Sequence, residues 1–316
     1  MQIKSKLKKT IVYSIYIKVK YFIYPLQLKL AKIDKKKPTS IIIEKNNKKE
    51  NRIIVSLTSF PGRIHIVHKT IYSIMNQTYK PDMIIIWLSK KQFPQMEKEL
   101  PKKLGELEKQ GLTIKWTEDD LKSYKKLIPA LKAYPEDIIV TADDDLYYPA
   151  DWLENLITSY KLHPEDIHCH LITRLIKKEG NFYVGQRDNN MIDTASFYNK
   201  ILGGSGTLYP PHSLDSEVFN IKKFQSIAPT SDDIWFWAMA LKNNTKIRWI
   251  KNHMKKLYYI EHSQEETDCL WKINDCGEKL FSVHLNDVVK KYNLYDQIGS
   301  DEYEKEDKKI YKTNNT

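Results

Sequence analysis

From residue 53 onward, short apolar runs alternate with segments of helical period. Ile53-Ile54-Val55-Ser56-Leu57-Thr58 is almost continuously apolar and is stopped by Ser59-Phe60-Pro61-Gly62, the pattern of a buried strand entering a turn. A helix is predicted over Ile66–Gln77, a strand over Met83–Leu88 and a charged helix over Gln95–Gln110. A strand over Leu112–Thr117, a helix over Lys122–Ala133 and a strand over Ile138–Ala142 follow, the last running into Asp143-Asp144-Asp145. This alternation predicts an α/β fold, a mostly parallel sheet flanked by helices on both faces. Ligands of such sheets sit beyond the carboxyl ends of the strands, where the acidic triplet falls. A helix at Trp152–Tyr160 leads into a less regular half. It holds strand-like pieces at Ile167–Thr173 and Phe182–Val184, the stretch Gly203-Gly204-Ser205-Gly206, and Asp232-Asp233 opening an apolar helix over Ile234–Leu241. No internal repeat is present.

The N-terminal segment has a different pattern. Ile3, Leu7, Ile11, Ile15, Val19, Phe22, Leu26 and Leu30 recur three or four apart, one face of a helix, while lysines interrupt any spanning run and Pro25 is expected to kink or end the helix. Residues 1–34 are therefore an amphipathic extension that lies on a membrane surface, packs on the domain or forms a β-rich arm, as Tyr, Ile and Val dominate 11–24. Residues 35–51 are a polar linker, 52–299 the domain, and 300–316 a charged tail expected to be disordered.

Charge sharpens this division. The 316 residues hold 51 Lys+Arg against 40 Asp+Glu. Residues 1–50 hold 14 lysines, no arginine and three acidic residues, and the remainder carries 37 basic and 37 acidic groups. The basicity belongs to the extension, which argues against a nucleic-acid-binding domain and for an anionic membrane as its partner. Cys169, Cys269 and Cys276 fit no metal spacing and are expected to be reduced thiols. With neither a signal-peptide pattern nor an apolar run of about 20 residues, the expected location is cytoplasmic, peripheral at the inner face of the plasma membrane.

Three adjacent carboxylates at a strand end repel one another, and a hard divalent ion, Mn²⁺ or Mg²⁺, offsets that repulsion while leaving positions open for phosphate oxygens. Alternation along an extended chain would point Asp143 and Asp145 to one side and Asp144 to the other. Asp145 is then the direct metal ligand and Asp143 a ligand through water or a ribose contact. A solvated acidic turn before a helix is the plainer alternative.

Four segments in order carry a specific resemblance: Val55-Ser56-Leu57-Thr58-Ser59, Tyr124-Lys125-Lys126-Leu127-Ile128-Pro129-Ala130-Leu131, Val140-Thr141-Ala142-Asp143-Asp144-Asp145-Leu146-Tyr147-Tyr148-Pro149 and Ser231-Asp232-Asp233-Ile234-Trp235. Over roughly residues 52–260 the chain resembles bacterial GT-A-fold glycosyltransferases, family 2-like, of the surface-polysaccharide and lipopolysaccharide type. The resemblance implies a hexosyltransferase using a nucleotide-sugar donor, with a UDP-sugar foremost, and a glycan or lipid-linked saccharide acceptor. It places nucleotide contacts on Thr58, Ser59 and Arg63, the diphosphate-bridging metal on Asp143 and Asp145 with Asp144 beside them, and a basic nucleotide contact on Lys126, with Lys125 second. Gly204 lies in a stretch similar to the glycine-rich acceptor-side loop of some such enzymes; a plain flexible loop fits it as well.

An inverting transfer needs a base for the acceptor hydroxyl. The resemblance assigns Asp233 to that role and Asp232 to its support, although Ser231-Asp232-Asp233 also suits a helix start. The expected reaction is inverting, metal-dependent transfer. A nucleotidyl- or phosphotransferase using Asp143 and Asp145, and a non-catalytic glycan-binding protein at the membrane surface, remain open alternatives. His168 and His170 are expected in the core, His262 and His284 are weak candidates for a further metal ligand, and Trp235, Trp237 and Trp249 belong to the core more readily than to a sugar platform.

Overall fold

The computed structural model describes residues 22–38, 51–178, 180–185, 192–251, 254, 256–264, 274 and 280–298. Residues 22–30 form helix α1. Strands β1 (Ile53–Thr58), β2 (Met83–Ser89), β3 (Leu112–Thr117) and β4 (Ile138–Ala142) alternate with helices α2 (Val67–Met75), α3 (Lys102–Glu108) and α4 (Ile128–Ala133). Helix α5 (Trp152–Leu162) precedes β5 (Ile167–Cys169), β6 (Ile172–Lys178), β7 (Asn181–Val184), β8 (Thr194–Ser196), β9 (Asn199–Ile201) and β10 (Thr207–Tyr209). The chain continues through α6 (Ile221–Ile227), α7 (Asp232–Lys242), β11 (Ile247–Trp249), α8 (Leu280–Tyr292) and α9 (Leu294–Gln297).

Eight strands form one sheet in the order β3-β2-β1-β4-β10-β5-β11-β8, and β7-β6-β9 form a smaller one. The first four are mutually parallel, β10 runs antiparallel between β4 and β5, and β11 returns parallel to β5. Alternate residues of β1 reach opposite cores: Ile54 packs with Trp87, Ile139 and α7, whereas Ile53, Val55 and Leu57 pack with α2 and α5. Burial on both faces explains the unbroken apolar run. Replacing a fully buried residue such as Ile139 with Ala removes about 2–5 kcal/mol.

Prolines and sheet choice revise several expected elements. The helix expected over Gln95–Gln110 is a 3-10 turn at Met96–Glu99 and then α3, parted by Pro101. Lys122–Ala133 divides into a 3-10 turn at Lys122–Lys126 and α4, with Pro129 in the first turn of the helix. The single strand expected over Ile167–Thr173 is two, β5 in the large sheet and β6 in the small one. Local hydrophobicity says nothing about which sheet a strand joins.

The segment 1–21, the linker residues 39–50 and the tail from Gly299 lie outside the described residues, as do Cys269 and Cys276. Pro25 does not end α1, which runs on to Leu30. Tyr24 and Leu28 of α1 are buried against the domain, and Tyr24 Oη donates to the Tyr259 carbonyl. Among the described residues no helix is long and apolar enough to cross a membrane.

Candidate active site

Parallel pairing sets the end of β1 beside the end of β4, with Leu57 opposite Ala142, so Ser59 and the acidic triplet emerge together at the carboxyl edge. A cleft of about 730 Å³ opens there. Thr58, Ser59, Arg63, Lys125, Lys126, Asp143, Asp144, Asp145, Gly204, Asp232 and Asp233 all line it, so every site residue expected from the sequence faces one space.

The triplet does not follow strand alternation, because β4 stops at Ala142 and Asp143–Asp145 form a turn. Asp144 and Asp145 share one guanidinium: Arg63 Nη1 lies 2.9 Å from Asp144 Oδ1 and 2.9 Å from Asp145 Oδ2. Ser59 Oγ donates to Asp144 Oδ2 at 2.6 Å, and Gln264 Nε2 donates to Asp145 Oδ2 at 2.5 Å. Asp143 turns the other way and accepts from Lys126 Nζ at 2.8 Å through Oδ1. Its backbone N–H donates to Tyr148 Oη, which itself donates to the Gly204 carbonyl.

Burial pushes the Asp145 carboxyl up to about 7, with Asp144 and Asp143 adding to the shift and Arg63 opposing it. Asp144 is likewise raised by burial against the pull of Arg63 and Ser59. This oxygen-only donor set carries more negative potential than its cations offset and fits a hard divalent ion. Asp143 is the open member, its side chain 33% exposed against 8% for Asp144 and 6% for Asp145. The triplet does not converge into a cage; among the described residues only His163, Glu165 and Asp166 bring three such ligand atoms together, and they lie outside the cleft lining. Phosphate oxygens and water complete the shell of Mg²⁺ or Mn²⁺ at an open site of this kind.

The acidic pair starts α7 on the other wall. Asp232 Oδ1 accepts from Ser123 Oγ at 2.9 Å, and its Oδ2 lies 3.0 Å from Lys126 Nζ. Lys126 thus bridges Asp143 and Asp232; burial works against its charge, but Asp143, Asp232 and Asp233 more than offset this and its pKa is raised. Asp233 Oδ2 accepts from the Gly203 N–H at 3.0 Å and lies 3.7 Å from Lys200 Nζ. Burial raises the Asp233 carboxyl, opposed by Lys200. A Cβ at Gly203 would sit 2.4 Å from Asp233 Oδ1 and one at Gly204 2.9 Å from Asp143 Oδ2. The glycines therefore let the loop wedge between the two acidic groups.

Other expectations resolve individually. Lys125 turns to Asp120 and Gln92 and leaves Asp143 to Lys126. Ser231 does not cap α7; its Oγ meets His284 Nδ1 at 2.8 Å. His168, against Ser159 and the His163 carbonyl, and His170, against the Trp152 carbonyl, are buried core residues. Trp235, Trp237 and Trp249 are buried and donate to the backbone carbonyls of Val218, Phe197 and His170. Cys169 is a buried free thiol. Sequence reasoning missed Lys200, Gln264, Ser123 and Tyr148. Tyr148 stood within a quoted run, but nothing local marks Lys200 or Gln264.

The profile of the family described as glycosyl transferase family 2 matches residues 59–216. No curated protein matches. Among solved structures, TarS residues 1–349 of S. aureus is 13% identical with a TM-score of 0.42, covering 66% of this chain and 60% of its own. A mannosyltransferase, PcManGT from Pyrobaculum calidifontis, in complex with GDP-Man and Mn²⁺, is 15% identical with a TM-score of 0.43, covering 75% and 66%. The chain thus spans less than two thirds of the TarS chain and 66% of PcManGT.

Proposed function

This chain belongs to glycosyl transferase family 2, and from that premise we propose that it moves a sugar from a nucleotide-sugar donor to an acceptor hydroxyl with inversion, using a divalent cation. The observation that carries the reading is the single cleft in which the triplet Asp143–Asp145 and the pair Asp232-Asp233 face each other across Gly203 and Gly204. Family membership favours this over the nucleotidyl- or phosphotransferase alternative.

Thr58, Ser59 and Arg63 hold the nucleotide, with a UDP-sugar the leading donor and the transferred group a hexose. Asp143 and Asp145 hold Mn²⁺ or Mg²⁺; Asp145, buried beside two carboxylates, gains most from a cation. When bound, the ion supplies charge stabilisation for the departing diphosphate. Asp233 accepts the proton of the acceptor hydroxyl as its oxygen bonds to the anomeric carbon, while the bond from that carbon to the phosphate oxygen breaks and its electron pair leaves with the nucleoside diphosphate. Burial makes Asp233 a stronger base, and Lys200 keeps it ionised. Lys126 neutralises Asp143 and Asp232 and sets the spacing of the two walls. The acceptor is a cell-surface glycan or a lipid-linked saccharide, met at the inner face of the plasma membrane with residues 1–34 at its surface.

Thermal-shift titration of the full chain with UDP, GDP, CDP, ADP and dTDP, each with and without Mn²⁺, tests the reading. The expected outcome is stabilisation by one diphosphate that requires Mn²⁺ and is lost in Asp145→Asn. A shift retained in that variant overturns the metal assignment, and no shift with any diphosphate overturns the donor reading.

A further inference from the structure

Four exposed large apolar side chains, among them the two most exposed of the described residues, lie on α1. On α1, Phe22 is 86% exposed, Leu30 76%, Leu26 59% and Ile23 42%. At 3.6 residues per turn these four fall on an arc of roughly 100°, opposite the buried Tyr24 and Leu28. The inward face, together with Tyr24 on the Tyr259 carbonyl and Lys35 Nζ on Glu261 at 2.6 Å, fastens the helix to the domain. The outward stripe is a contiguous apolar patch of the kind that marks an interaction surface.

What rims the stripe identifies the partner. Lys29 lies on its edge, and the exposed Lys32, Lys35 and Lys36 follow α1, Lys32 lying 3.6 Å from Asp151 and Lys35 2.6 Å from Glu261. Across a groove of about 620 Å³, lined by Leu30, Lys32, Pro149 and Tyr258, stands Lys256. The rim cations are all lysine, with no arginine in residues 1–50 to fork onto a protein carboxylate. A nucleic acid would satisfy the charge and leave the stripe in water. An anionic bilayer satisfies both, because lysines meet phosphate headgroups at the depth where an amphipathic helix buries its apolar face.

We propose that α1 is a monotopic docking element whose Phe22, Ile23, Leu26 and Leu30 stripe enters the interfacial layer of an anionic bilayer, with Lys29 and Lys36 on lipid phosphates. This deepens the functional reading above and rests on it for its purpose. Leu257 and Tyr259 line the catalytic cleft, and Tyr258 between them lines the groove beside α1. Helix α1, through Tyr24 on the Tyr259 carbonyl, and the Asp145 wall therefore flank one segment, tied at Ile260, whose N–H donates to the Asp145 carbonyl at 2.7 Å. A bilayer under α1 lies next to the cleft, which suits an acceptor carried on a lipid.

The test is flotation of the full chain with phosphatidylcholine vesicles, with and without phosphatidylglycerol, comparing wild type, Phe22→Ser/Leu26→Ser/Leu30→Ser and Lys29→Glu/Lys36→Glu. Wild type is expected to float only with the anionic vesicles and to be released by salt. The stripe variant loses partitioning by at least about tenfold with an unchanged melting temperature, because the replaced side chains already face solvent, and the lysine variant loses less. Wild type that stays at the bottom, or a stripe variant that floats like wild type, overturns the proposal; the second result assigns docking to other residues. The diphosphate and Mn²⁺ thermal shift, measured without vesicles, reports on the donor site alone, so loss of either reading is distinguishable from loss of the other.

Discussion

Each of the two acidic groups of the cleft holds buried carboxylates, and the two are compensated differently. Asp144 and Asp145 share one nitrogen of Arg63, so two carboxylates lean on a single cation and Asp145 is pushed up to about 7. Asp232 and Asp233 have separate lysines, Lys126 at 3.0 Å and Lys200 at 3.7 Å, and Asp233 also accepts the Gly203 N–H. Under-compensated carboxylates at a strand end attract a further cation, whereas a carboxylate with its own counter-charge is poised as a base. On the proposed reading the same residue type serves two purposes according to how its neighbours divide the charge.

Substitutions can break this contrast, beginning with the largest expected effect. Asp233→Asn removes the base and is expected to lower kcat by about 10²–10⁴-fold while leaving the Mn²⁺-dependent diphosphate shift intact. Loss of the shift in that variant would merge the two groups into one donor site. Asp145→Asn is expected to lower kcat by about 10²–10³-fold and to abolish the shift, the reverse pattern in binding. Lys126→Met leaves Asp143 and Asp232 without the cation that joins them and is expected to destabilise the fold by about 3–5 kcal/mol in denaturant titration. A milder loss would mean that the two walls are held apart by the backbone alone.

Lys200→Met sharpens the comparison by pH. Burial already raises Asp233, and Lys200 opposes that rise, so removing the lysine lifts the carboxyl further. Activity requires the ionised base, so the acid limb of kcat/KM moves to higher pH, whereas Lys200→Arg holds it in place. Asp232 and Lys126 face the same carboxylate and are unchanged in both variants, which leaves the shift attributable to position 200. An unmoved limb in Lys200→Met would mean that Lys200 serves only its bond to the Ile201 carbonyl.

How much of the sequence was legible follows the same division. β4 lies at its expected bounds, since it is a short apolar run closed by turn residues and buried on both sheet faces; β3 also lies at its expected bounds, although it is an edge strand of which only Leu112 is buried. The triplet was legible because it continues such a run. The acidic pair was legible as a helix start, and the structure adds that its serine bonds His284 instead of capping the helix. Failures gather where a partner is distant in the chain: Gln264 reaches Asp145 across 119 residues, and Ser123 reaches Asp232 across 109. Lys200 sits in a three-residue strand of the small sheet, whose pattern looks like any edge segment. Of the choice between membrane and packing for the extension, the structure shows packing at Tyr24 and Leu28, which are buried, while Phe22, Leu26 and Leu30 on the opposite face of α1 stay exposed.

The sequence by itself determined the strand–helix alternation, the parallel half of the sheet, the placement of acidic residues at strand and helix ends, and the confinement of excess charge to the first 50 residues. These are local properties, set by hydrophobic period and by the chemistry of neighbouring residues. Only the tertiary structure decided that β5 and β6 part into different sheets, that β10 enters antiparallel beside β4, and that Arg63, Lys126 and Lys200 distribute themselves over five carboxylates. Those outcomes depend on which surfaces meet when both faces of the sheet are buried. A buried carboxylate takes its counter-charge from whichever element packing brings within reach.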